Sequence, residues 1–125
     1  EEVKLAGVDT SILKKRNNKS SELAREAVNY LASLLSTSEV KIESAEIPSG
    51  KDGLKLVYLY CIQTEKTKTA EGVETKTVKS KTLVNSEIIR RGYARPLKTY
   101  EGKYKEVFEA ADAESKHKKI GYWRT

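Results

Sequence analysis

One cysteine, one histidine, two prolines and no methionine occur among the 125 residues. Cys61 alone excludes an internal disulfide and any cysteine-rich zinc cluster. With His117 as the only imidazole, metal sites built on several histidines are excluded too. No run is long or apolar enough to span a bilayer, and no stretch has the form of a secretory signal peptide. A lone cysteine without such a signal favours an intracellular setting. The sequence opens at Glu1 without an initiator methionine, which marks a fragment, a processed form or a trimmed chain.

What the chain has in quantity is charge. Charged residues make up 34% and hydrophobic ones 38%, the balance of one soluble domain with a modest core spanning 1–125. Twenty-four Lys and Arg against 18 Asp and Glu leave a net +6, which favours polyanionic partners through long-range attraction. A lysine-rich solvated surface gives the same total, so the position of the charges matters more than their number.

Residues 3–8 read as a strand and 11–19 as a basic loop. Ser20 or Ser21 then caps a helix, which buries Leu23, Ala24, Ala27, Val28, Leu31, Leu34 and Leu35 and ends at Ser36. The alternation over 39–47 predicts a half-buried strand, followed by a Pro/Gly turn. The segment 54–62 is apolar or aromatic at nearly every position, as in a central strand covered on both faces. Threonine, lysine, glutamate and valine dominate 64–82, which predicts a polar β-hairpin projecting from the body and turning near Gly72. Asn85 is expected to cap a short helix ending at Gly92, and Pro96 forbids helix at Arg95. A last helix over about 102–119 carries Tyr104, Val107, Phe108 and Ala111 on its core face, and Trp123 folds back beneath it.

The segment LVNSEIIRRGYARP, followed by a long helix ending in KKIGYW, resembles the C-terminal half of staphylococcal nuclease-like domains. Val84, Asn85, Gly92, Tyr93, Ala94 and Trp123 are the matching residues. VDT at 8–10, the helix at 20–36 and the strands at 40–46 and 54–62 follow in the family's order. The resemblance thus covers nearly the whole chain. It implies an α+β fold, an OB-type barrel with three helices, here with a long hairpin added. The two strands that the family places ahead of residues 3–8 have no counterpart after Glu1.

The resemblance also supplies a template for chemistry. Family nucleases use calcium, a general-base glutamate and two arginines that neutralise charge on the attacked phosphorus. Asp9 falls on the strand-end calcium ligand and Thr10 on its carbonyl-donating neighbour. The base falls on Ile12, which can neither accept a proton nor order a water. One arginine falls on Lys4, which lacks the bidentate fork, and the other on Leu54, beside Lys55. Lys4, Asp9 and Thr10 therefore read as vestiges, with Asp9 the only candidate metal ligand and no cofactor expected. Should the chain be a calcium-dependent phosphodiesterase with residues supplied upstream, Glu43 and Glu46 are the nearest acids to stand in.

The densest basic cluster is Lys14, Lys15, Arg16 and Lys19. With Arg90, Arg91 and Arg95 it is the candidate contact surface for the phosphates of RNA or single-stranded DNA. Arg90, Arg91 and Arg95 read equally well as solvated helix-end charges, and the basic cluster as a flexible loop without a role. His117, among lysines, reads as a surface residue, and Cys61, Tyr58 and Tyr60 read as core. Two function classes stay open: a non-catalytic nuclease-like module binding nucleic acid, a protein partner or neighbouring domains, and a calcium-dependent nuclease. No membrane partner is expected.

Overall fold

In the computed structural model, which describes residues 2–124, the first apolar run is two strands rather than one. Strand β1 (Val3–Leu5) and strand β2 (Val8–Asp9) are separated by a sharp bend at Gly7, with φ +74°. A Cβ on Gly7 would stand 2.6 Å from Phe108 and 2.9 Å from the Tyr100 ring, so both the dihedral and the space demand glycine.

The segment expected to be a basic loop keeps an irregular centre at 14–17 between two helical pieces. Ser11–Leu13 form a 3-10 turn, and helix α1 runs over Asn18–Ser36. Its cap is Asn17 rather than Ser20 or Ser21: the Asn17 side chain accepts the Ser20 N–H at 2.8 Å. Ser20 instead turns inward and donates to the Ile12 carbonyl at 2.7 Å. Leu23 and Ala27 are buried, whereas Val28 and Leu35 lie outward of the stripe and are exposed.

Strand β3 (Glu39–Ser49) leads through a Gly50–Gly53 turn into β4 (Lys55–Lys68), which with β5 (Glu74–Leu83) forms the projecting hairpin. Gly72 takes φ +81° in its tip, as expected. Strand β4 is central. It pairs with β1 in parallel (Leu5 opposite Val57), with β3 antiparallel (Val40 opposite Cys61) and with β5 antiparallel (Lys66 opposite Lys76). Among the described residues, β1, β3 and β5 each form a ladder with β4 alone, so each is a margin of this sheet.

Helix α2 (Val84–Arg90) follows β5 without a break, and its N-cap is Leu83. Asn85 is therefore not a cap. It is fully buried and joins three elements: its amide donates to the Ala6 and Val57 carbonyls at 3.0 Å each and accepts the Leu59 N–H at 2.9 Å. Gly92, at φ +79°, ends the helix, and its carbonyl accepts the Tyr122 N–H at 2.8 Å.

Strand β6 (Arg95–Pro96) pairs antiparallel with β2, placing Asp9 opposite Arg95. Helix α3 begins later than expected and covers Lys105–Lys118, before a 3-10 turn at Gly121–Trp123. Its buried stripe is Phe108, Ala111 and Ser115 at i, i+3 and i+7; Val107 falls off that stripe and is exposed. Trp123 is largely buried, its indole nitrogen fully so, and the Arg95 guanidinium and the Lys116 amine lie 4.9 and 4.8 Å from its ring centroid. No helix among the described residues is long and apolar enough to cross a membrane.

Candidate nucleic-acid interface

The end of β2 delivers Asp9 and Thr10 to a position between two hollows. A cleft of about 870 Å³ lies on one side, lined by Lys4, Asp9, Thr10, Lys14, Glu46 and Asp52 among others. A pocket of about 410 Å³ on the other side is lined by Asp9, Ile12, Lys15, Arg95, Asp112 and Tyr122 among others. Asp9 borders both.

The local backbone engages one oxygen of each residue. Asp9 accepts the Ser11 N–H at 2.9 Å, and the Thr10 carbonyl accepts the Leu13 N–H at 3.0 Å. That Ser11 hydrogen bond holds the Asp9 carboxyl below its usual pKa, with smaller help from Arg95 and Lys14. Both oxygens serve a turn. No group of three His, Cys, Asp or Glu capable of holding a metal ion occurs among the described residues.

The remaining template positions are each held by other partners. Ile12 is buried beneath the 3-10 turn. Lys4 pairs with Asp52 at 3.3 Å, and the Leu54 N–H is tied to the same carboxylate at 3.1 Å. Glu43 pairs with the Lys103 amine. Glu46 accepts hydrogen bonds from the Tyr58 hydroxyl and the Lys103 N–H; the Tyr58 bond, above all, lowers its pKa. A carboxylate held in this way is a weak proton acceptor.

The candidate phosphate contacts divide into two sets. Arg90 and Arg91 sit at the end of α2, both paired with Glu87; Arg90 also reaches Glu114 at 3.4 Å, and Arg91 lies 4.0 Å from the Tyr30 ring centroid. They line neither hollow. Arg95 does line the smaller pocket, but its guanidinium grips Asp112 in a two-pronged pair at 3.0 and 3.3 Å. Their charges are largely answered within the protein.

The cluster at the start of α1 is different. Lys15 and Lys19 sit 5.6 and 4.9 Å from the centroid of Tyr122, with exposed Lys14 and Arg16 beside them. Lys19 also donates to the Arg124 carbonyl at 3.2 Å. The ring of Tyr122 was not anticipated as part of this surface, since it comes from the opposite end of the chain. Its only sequence signal was its place after Gly121. Four cations thus gather near the N-terminus of a 19-residue helix, whose dipole adds partial positive charge there.

A family model described as staphylococcal nuclease homologue matches residues 2–125. No curated protein matches the chain.

Proposed function

From the chain's membership of the staphylococcal nuclease homologue family, we propose that it is a non-catalytic module gripping RNA or single-stranded DNA by the phosphates. One observation carries this reading: Lys15 and Lys19 flank the Tyr122 ring beside Lys14 and Arg16. Amines contribute phosphate attraction, and the Tyr122 ring holds two of them together at one place on the surface. Ile12 and Leu54 stand where the resemblance expects the base and one clamp, and Asp9 and Thr10 each give an oxygen to the turn after β2. Such losses cost several orders of magnitude in rate.

A protein partner is the second reading, favoured by Val40, Ile42 and Ile47 standing exposed along the β3 margin. The catalytic alternative, a calcium-dependent phosphodiesterase completed by residues from outside the chain, makes an opposite prediction.

The deciding experiment titrates labelled single-stranded RNA into wild type and a Lys14, Lys15, Arg16, Lys19→Ala variant at several salt concentrations. Each phosphate contact adds about −0.7 to the slope of log affinity against log salt for single strands, so the variant should bind more weakly with a flatter slope. Equal slopes would remove this cluster from the interface, and absence of wild-type binding would favour a protein partner. In parallel, calcium-dependent cleavage abolished by Asp9→Ala would establish the nuclease instead.

A further inference from the structure

The hairpin at 64–82 is not part of the surface just described, and its charges are sorted. Residues 65–79 are all exposed, so no packing constraint dictates which side chains they carry. Five lysines and three glutamates lie within the segment.

Alternation along β4 puts Tyr60, Ile62, Thr64, Lys66 and Lys68 on one face. Their partners on β5 are Leu83, Lys81, Val78, Lys76 and Glu74, across a bulge that leaves Lys79 as the extra residue. The opposite face carries Glu65, Thr67, Thr75 and Thr77, and the Thr67 and Thr75 hydroxyls meet at 2.6 Å. One face is thus lysine-rich and the other threonine-rich.

Lys66 and Lys76 stand directly opposite each other in the ladder. A like-charge pair at that position works against the hairpin. On an exposed ribbon of otherwise free choice, a polar uncharged pair would serve folding better. Glu74, 3.8 Å from Lys66, and Glu39, paired with Lys76, relieve part of the repulsion from the periphery. Lys81 lies 4.6 Å from the Tyr60 ring centroid, extending the positive face to the body of the domain.

We propose that this lysine face is a second contact surface for a nucleic-acid backbone. The inference rests on the binding reading above and gives it a second arm. Phosphates supply the negative charge that a ladder of Lys66, Lys68, Lys76 and Lys81 leaves in excess, and Thr64 adds a hydroxyl of the kind that donates to phosphate oxygens. A bilayer is a poorer fit: the tip holds Glu71, and Val73 and Val78 are its only large exposed apolar residues, too few for an apolar face.

The test uses the full chain and a Lys66, Lys68, Lys76→Gln variant, with Thr67, Thr75→Val as the control on the other face. Labelled single-stranded RNA should bind the lysine variant more weakly, with a salt slope shallower by about 2, or about 0.7 for each of three charges. The threonine control should match wild type, and circular dichroism should show all three folded. Wild-type binding with an unchanged slope in the lysine variant would overturn this inference while leaving the α1 cluster in place. No binding by wild type would overturn both. A variant that keeps its RNA affinity but loses affinity for polyglutamate, or for phosphatidylserine vesicles, would overturn it in favour of an acidic protein or a membrane.

Discussion

The corner where α2, α3 and the C-terminal 3-10 turn meet β4 differs sharply from the β3 margin of the same sheet. In the corner, Val84, Asn85, Ile89 and Phe108 have no exposed surface, and every hydrogen-bonding atom of the Asn85 amide group has a backbone partner. Along β3, Val40, Ile42 and Ile47 have the composition of a core strand yet remain open, Ile47 at 70%. The two regions show that apolar residue type and burial are separate facts. The corner is closed by contacts among residues distant in sequence, whereas β3 has a ladder on one side only. The stability of this chain should therefore sit in the corner.

The largest effect is expected from Asn85→Leu. Removing the amide breaks hydrogen bonds that tie α2 to Ala6, Val57 and Leu59 and leaves buried backbone groups unanswered. The cost should be roughly 3 kcal/mol or more, read from denaturant unfolding. A loss below about 1 kcal/mol would show that the corner tolerates an apolar substitute and that its hydrogen bonds are incidental.

Trp123→Ala comes next. The sequence suggests a largely buried residue, and truncating a fully enclosed tryptophan costs roughly 3–5 kcal/mol. Because the ring keeps some exposed surface, with Arg95 and Lys116 against it, the expected loss falls below that range, about 2 kcal/mol. A cost at the upper figure would extend the closed corner to the last residues of the chain.

Asn85 also shows where sequence reading stops. An asparagine before a short apolar helix has the same local signature whether it caps the helix or bridges strands. The partners that decide the matter lie 26 to 79 residues away. Asn17 was overlooked for a related reason: the basic run around it hid a cap that only the position of Ser20 reveals. The hairpin was legible because alternating threonine and lysine with a central glycine is a local signal. In the site, the identities of Ile12 and Leu54 were legible as lost chemistry. The pairing of Arg95 with Asp112 and the approach of Lys15 and Lys19 to the Tyr122 ring were not, since both join distant segments.

A third test concerns acid. The Tyr58 hydroxyl and the Lys103 N–H fix the Glu46 carboxylate, so its native pKa lies below the ordinary 4.5. A carboxylate depressed in the folded state contributes stability above its unfolded pKa. That contribution is lost as pH falls through the folded value. Thermal melts from neutral pH down to about pH 3 should show Glu46→Gln losing less stability than wild type over the acid range. Because Glu46 is exposed, the difference should be small. Identical profiles would mean that β3 is not anchored to the residues before α3 through this carboxylate.

The smallest effect is expected at the β3 margin itself, and it tests the comparison most directly. Ile47 is buried in nothing that the chain supplies, so Ile47→Thr exchanges exposed apolar surface for a polar β-branched side chain. Both residues favour extended backbone, and the methyl groups lost make little buried contact. The change in unfolding free energy should fall within about 0.5 kcal/mol. A loss several times larger, growing with protein concentration, would show that copies of the chain cover this margin in solution. A loss of that size at every concentration would mean that Ile47 packs within the monomer, and the contrast between corner and margin would fail.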